Sequence, residues 1–167
     1  INLDKKVYHS EMSHISRNRA IAYLLESKGY IEKNKDVENS LHFYVKMCSL
    51  SVTAESLAGL GLILANDGIH PDTGKRLLSS QTVKIVKTLM FTCGMYDGSG
   101  EFAVRVGIPS KSGVGGGILS VVDGEMGIGI FGPALDKKGN SVAGECVLEY
   151  MSHELHLHMF DPQRHTL

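Results

Sequence analysis

The sequence predicts an α+β fold in which helices pack around a small antiparallel sheet. Six segments read as helices, most by apolar residues at a helical period, and only two short runs read clearly as strands. Those two runs flank Asp123-Gly124, a hairpin turn signal. No repeat, low-complexity stretch or linker interrupts the 167 residues, so they read as a single unit, 1–167. A 43% hydrophobic content with net charge −1 describes a chain able to bury a core. It argues against a disordered chain and against a nucleic-acid partner, which would require a basic excess. No apolar run is long enough to span a bilayer, and no leader is visible. Cys48, Cys93 and Cys146 lack paired ligand or redox spacing and read as buried free thiols in a reducing, cytoplasmic setting.

In chain order, the first nine residues read as coil or a short helix. Residues 11–29 read as one helix: Ile15, Ala22 and Leu25 share a stripe, and Gly29 fits a left-handed stop. A polar connection over 32–39 leads to a helix over 37–50 that turns Leu41, Tyr44, Val45 and Cys48 to one side. Thr53 caps a helix over 54–66, apolar nearly all round and therefore expected to be buried, with Gly68 ending it. Residues 70–74 form a Pro/Gly turn. Ser79 or Ser80 then caps a helix running to Cys93, stopped by Gly94, and 97–100 is loop. Residues 101–106 alternate like a strand, but Ser99 and Gly107 supply caps for a short helix. Residues 112–122 and 126–131 are the strands. After a polar loop at 136–140, Ser141 or Asn140 caps a last helix to His156, with Val147, Leu148, Met151 and Leu155 inward. An isolated hairpin is marginal in water, so this one demands a third strand from residues outside the chain or from a partner edge.

The chemistry centres on Lys111-Ser112-Gly113-Val114-Gly115-Gly116-Gly117. Bare backbone beside a cation suits a developing oxyanion; a tightly packed glycine hairpin is the equal alternative. The lysine is not that of a phosphate loop, because Ser110 and Val106 stand where that motif needs glycines. Gly127-Ile128-Gly129-Ile130-Phe131-Gly132 matches a dinucleotide pattern but lies inside a strand, with Pro133 where a helix must begin. His153, His156 and His158 lack a metal spacing with a third ligand and read as a solvated helix end. Glu11 and Asn18, seven apart, share a face if their helix extends back to Glu11, and could grip an ammonium and a carboxylate or be plain surface. Tyr44 is either a core-edge tyrosine or a binding hydroxyl, and Tyr96 is a phenol on a glycine-rich loop before the lysine.

Arg17-Asn18, His42-Phe43-Tyr44 with Cys48-Ser49, residues 60–66, Cys93-Gly94-Met95-Tyr96-Asp97 with Ser99-Gly100, residues 107–114 and the loop 135–142 together resemble the serine-dependent glutaminases. The resemblance runs from Glu11 to Phe160 with few gaps. It implies the fold of β-lactamases and penicillin-binding proteins, with Lys111-Ser112-Gly113 standing where those proteins carry K-T-G. Carried over, it implies that Glu11, Asn18 and Tyr44 hold the amino and carboxyl groups of L-glutamine. Tyr96 is then a proton-transfer group, the Val114 N–H an oxyanion donor, and Lys111 a source of positive potential.

One departure matters. The family's nucleophile is the serine of S-x-x-K, and no lysine here has serine three residues before it. The expectation is therefore a C-terminal portion of a glutaminase catalytic domain, an incomplete domain lacking its N-terminal part and inactive alone. Neither a metal nor an organic cofactor is expected, and a homo-oligomer is implied by resemblance only. Another penicillin-binding-type serine hydrolase and a non-catalytic amino-acid-binding module stay open as alternatives.

Overall fold

A computed structural model describes residues 1–32 and 36–164. Part of the polar connection expected over 32–39 lies outside the described residues. The chain divides into two compact units, Ile1–Val52 and Thr53–Leu167, where the sequence reads as one unit without a linker.

In the first unit a short strand, β1 (Asn2–Leu3), pairs antiparallel with β2 (Leu50–Ser51). Between them run α1 (Lys5–Ser13), α2 (Ser16–Ser27) and α3 (Val37–Cys48). Asp4 starts α1 by accepting from the Lys6 and Val7 amides at 2.9 and 3.1 Å. The single helix expected over 11–29 is in fact two. His14 leaves the helical region (φ −116°, ψ 15°), and Ile15 turns into the core at 3% exposure. The core of this unit is Ile15, Ala22, Val37, Leu41 and Val45. Arg19 holds Glu38 through two bonds of 2.8 and 3.0 Å, joining α2 to α3. That bidentate pairing keeps the Glu38 carboxyl below its ordinary range. The Tyr8 hydroxyl meets His42 Nδ1 at 2.6 Å and joins α1 to α3.

The second unit is a three-stranded antiparallel sheet with helices on both faces. It contains α4 (Ala54–Ala65), α5 (Ser80–Cys93), a 3₁₀ turn (Tyr96–Gly98), α6 (Ser99–Arg105), β3 (Ser110–Ser112), β4 (Gly117–Val122), β5 (Met126–Phe131) and α7 (Val142–Glu154). Thr53, Ser79 and Ser141 each cap their helix by accepting an amide three residues on, as the sequence predicts. The strand order is β3-β4-β5. Strand alternation sends Ile118 and Val122 to a core with Phe102, Val106 and Leu148, under α6 and α7. Leu119 and Val121 go to the other side with Leu64, Val83 and Met90, under α4 and α5.

The third strand comes from within the chain, against expectation. Residues 112–122 are two strands, because the chain reverses through Gly113–Gly116. Gly116 N–H donates to the Gly113 carbonyl at 2.9 Å, and Gly116 itself sits at φ +92°, where a side chain is strained. Gly127 and Gly129 have a packing reason that disposes of the dinucleotide pattern: a Cβ at either would collide with the backbone of α4, at Ala58 and Ala54 respectively.

Gly94 does end α5, as expected, and it is a glycine because a Cβ there would strike the Ser110 carbonyl. Among the remaining expectations, several need correcting. Helix α6 begins at Ser99, inside the stretch read as loop, and the last helix stops at Glu154. Helix α4 is buried on its sheet face only, with Leu60 45% exposed; Val147 and Leu155 of the last segment, Tyr44 and all three cysteines are also exposed. The three thiols are free. Among the described residues, no helix is long and apolar enough to cross a membrane.

Candidate active site

In the second unit, three segments far apart in sequence deliver the groups singled out around Lys111. The first is the 3₁₀ turn after α5. Met95 is buried (1% exposed), and the next residue, Tyr96, is turned out in a left-handed backbone conformation, φ +51°. For a tyrosine this conformation costs roughly 1–3 kcal/mol and persists only where the surroundings impose it. Ser99 Oγ accepts from the Met95 amide at 3.0 Å and donates to the Tyr96 carbonyl at 2.8 Å. Asn140 Nδ2 donates to the Met95 carbonyl at 3.1 Å.

The second segment is β3 with its turn. Ser110 and Ser112 face inward and are buried, so the alternation of the strand turns Lys111 outward. Ser110 Oγ meets Ser120 Oγ at 2.7 Å, and the Ser112 amide donates to the Gly94 carbonyl at 3.0 Å. These bonds fix the strand against β4 on one side and the end of α5 on the other. The Lys111 ammonium donates to the Ser112 carbonyl and stands 4.6 Å from the centre of the Tyr96 ring. A cation over a phenol ring at that distance is attracted by the ring quadrupole. Val114, in the reversal after β3, is 65% exposed, and its N–H makes no hydrogen bond among the described residues.

The third segment is the loop before α7. Leu135 and Ser141 bridge its ends, and Asp136 Oδ1 accepts the amides of Lys138 (2.9 Å) and Asn140 (2.8 Å). Hydrogen bonding to the Asn140 amide, reinforced by those of Lys138 and Gly139, holds the Asp136 carboxyl below its ordinary value despite the opposing effect of burial. Lys138 Nζ reaches Glu101 at 2.9 Å and ties the loop to α6. The point that a Cβ on Gly139 would occupy lies 3.6 Å from Tyr96 Cε2 and 3.6 Å from Val114 Cγ1. Tyr96 and Val114 therefore flank one glycine, with Lys111 against the tyrosine ring. A phenol, a cation and an exposed amide donor share one patch, which is the equipment for handling a proton beside a developing negative charge.

The other sequence candidates lie in the first unit, on separate helices: Glu11 on α1, Asn18 on α2 and Tyr44 on α3. Glu11 and Asn18 do not share a helix face, because the break at His14 and Ile15 separates them. Tyr44 is 52% exposed, on the solvent side of α3 and not on its buried stripe. His153 lies against Glu154, His156 against Asp161, and His158 packs over Gly107. Among the described residues, no cluster of three or more His, Cys, Asp or Glu side chains could hold a metal. Ser99, Gly139 and Asn140 are the contributors that residue-by-residue reading missed. Ser99-Gly100 and the loop 135–142 enter the sequence reading only as stretches that carry the family resemblance, with no role assigned to these three residues.

Helices on both faces of a small antiparallel sheet define the class, and solved structures share the fold. A Bacillus subtilis glutaminase in covalent complex with 5-oxo-L-norleucine superposes with a TM-score of 0.90 at 42% identity, over 95% of this chain and 56% of that one. Mglu in its glutamate form gives 0.90 at 41% identity, over 96% of this chain and 36% of that one. The family model described as Glutaminase matches residues 1–160. The chain belongs to the glutaminase family. It is 56% identical over 160 residues to a glutaminase of Clostridium tetani and 55% identical to one of Clostridioides difficile. The match takes 96% of this chain but only 52% and 51% of those proteins, so the chain spans about half the length of the curated relatives it matches.

Proposed function

We propose that the polypeptide carrying this chain hydrolyses L-glutamine to L-glutamate and ammonia by two-step acyl transfer. A serine oxygen attacks the side-chain amide carbon, and the tetrahedral intermediate collapses with cleavage of the C–N bond. Ammonia leaves after taking up a proton, and water then cleaves the ester to release glutamate and restore the serine. The serine is supplied by an S-x-x-K segment that this sequence does not contain. The 167 residues alone are accordingly inactive.

In this reading Tyr96 passes the proton to the departing nitrogen, the Val114 N–H donates to the oxyanion, and Lys111 supplies positive potential beside it. Family resemblance alone assigns Glu11, Asn18 and Tyr44 to the amino-acid end of the substrate. The observation that carries the proposal is that Tyr96 and Val114 flank Gly139 while the Lys111 ammonium stands against the tyrosine ring, since an acyl-transfer site needs those groups within one substrate's reach. The family membership and the glutaminase names of the relatives support the choice of substrate. A homo-oligomer and a cytoplasmic location belong to the same reading.

The test is glutamate release by the complete polypeptide and by its Tyr96→Phe variant. A proton-transfer role predicts a turnover loss of roughly 10²–10⁴-fold with little change in glutamine affinity. Unchanged turnover in the variant would remove Tyr96 from the chemistry. Glutamate release by the 167-residue chain alone would refute the external nucleophile.

A further inference from the structure

Asn140 is fully buried (0% exposed), yet it uses only half of its amide. Nδ2 donates to the Met95 carbonyl at 3.1 Å, while Oδ1 is buried without a partner among the described residues. Burying an amide with an unpaired acceptor is unfavourable, so the single bond it makes must matter to the fold or the site. That bond ends on the peptide group joining Met95 to Tyr96, and the peptide groups on either side of it are constrained as well. Ser99 Oγ closes on the Met95 amide and the Tyr96 carbonyl, and Tyr96 is held at φ +51°. The next residue back along the loop, Gly139, lies against the edge of the tyrosine ring. Asp136, accepting the Asn140 amide at 2.8 Å, sets the height from which the side chain reaches down.

We propose that Asn140, together with Ser99, is a positioning residue: it pins the Met95 carbonyl and so keeps Tyr96 in the left-handed conformation that aims its ring between Lys111 and Val114. The inference rests on the reading of Tyr96 as the proton-transfer group. It adds to that reading a mechanism for holding the phenol without any contact between Asn140 and substrate. The Gly98 amide also donates to the Met95 carbonyl at 3.0 Å; losing the Asn140 donor leaves that bond alone to hold the carbonyl and lets Tyr96 relax toward ordinary φ values, which swings the ring away from its neighbours. A misplacement of about an ångström in a reacting group costs on the order of a hundredfold in rate.

Asn140→Asp tests this, because it keeps the shape and replaces the donor with an oxygen. In the complete polypeptide, kcat for glutamine should fall roughly tenfold to a hundredfold with KM nearly unchanged. The same substitution in a Tyr96→Phe background should then cost almost nothing, since it acts through the hydroxyl already removed. An equal loss in both backgrounds, or a change confined to KM, overturns the proposal. If Tyr96→Phe alone keeps normal turnover, the proton-transfer reading fails instead. The crystal structure of the Asn140→Asp variant then decides the positioning role: a Tyr96 φ that leaves the positive region upholds it, and an unchanged φ removes it. Should Asn140→Asp not fold, Ser99→Ala, which cuts the clamp on the two flanking peptide groups, is judged by the same readouts.

Discussion

Helix α4 offers a matched pair of glycines whose replacement by alanine should have opposite effects. Both Gly59 and Gly61 are in the helix interior with ordinary helical backbone, so alanine at either gains about 0.5–1 kcal/mol from helix propensity. What differs is the space around them. A Cβ on Gly59 meets nothing within 4 Å. A Cβ on Gly61 would lie 2.8 Å from Gly127 Cα, 2.9 Å from Leu119 Cδ1 and 2.9 Å from the Ser120 carbonyl oxygen. Ordinary contact begins at 3.4 Å, so the helix must lift from the sheet by about half an ångström. Two of the three obstacles are backbone and cannot rotate away. Overpacking of this kind costs roughly 1–3 kcal/mol, which outweighs the propensity gain. Gly61→Ala should therefore lower the stability of the chain by up to about 2 kcal/mol, while Gly59→Ala raises it by up to about 1 kcal/mol. Urea unfolding followed by circular dichroism reads both as displacements of the midpoint in opposite directions, each by a few tenths of a molar or more at an unchanged slope. If both variants moved the midpoint upward together, the close seating of α4 on β4 and β5 would be wrong.

Two further outcomes follow from the surface and the loop. Asp136 has its carboxyl pulled below the ordinary range chiefly by the Asn140 amide, so its stabilising effect is complete above the unfolded-state value and is lost as pH falls through the folded one. Amide exchange at Lys138 and Asn140, corrected for its intrinsic pH dependence, should lose protection below about pH 4. Protection independent of pH there would refute the linkage. Cys48, Cys93 and Cys146 are exposed free thiols, and all three should react with a thiol reagent in the folded chain without denaturant. Reaction only upon unfolding would restore the buried placement that sequence reading assigned them.

The legible parts of this fold were those that local chemistry dictates. Thr53, Ser79 and Ser141 announce helices because a side-chain oxygen three residues before an orphan amide satisfies it whatever lies elsewhere. Asp123-Gly124 announces a hairpin for a similarly local reason: Gly124 takes φ +74°, which the turn requires. The misreadings came from non-local demands. Nothing near His14 signals a helix end; the helix breaks because Ile15 is drawn into a core made with α3. Glycine at 113 and 115–117 looked like bare strand because periodicity cannot distinguish a strand from a reversal that pairs with itself. The glycines at 94, 127 and 129 answer to backbone that arrives from distant segments, which no window of sequence contains. Tyr96, Lys111 and Val114 could be linked beforehand only through family resemblance, because Gly139, the residue that Tyr96 and Val114 flank, is supplied by a third stretch of chain.

The same local rule governs all three segments of the candidate site, and it explains how exposed groups are kept in register. Each outward-facing member has an immediate chain neighbour that is almost fully buried: Met95 before Tyr96, Ser110 and Ser112 on either side of Lys111, Asn140 after Gly139. A one-residue alternation between anchor and working group transmits the rigidity of the packed sheet to side chains that must stay open to a substrate. Val114 is the exception: it is 65% exposed, and both of its neighbours are exposed glycines. Its amide is placed by the turn itself, through the Gly113 N–H bond to the Gly117 carbonyl at 2.9 Å and the Gly116 N–H bond to the Gly113 carbonyl at 2.9 Å. A backbone donor needs a backbone anchor, because a side chain facing the core would constrain the chain's path without fixing the direction of the neighbouring N–H. The glycines that first drew attention thus shape the turn that presents an amide, and the strand beside it holds the cation.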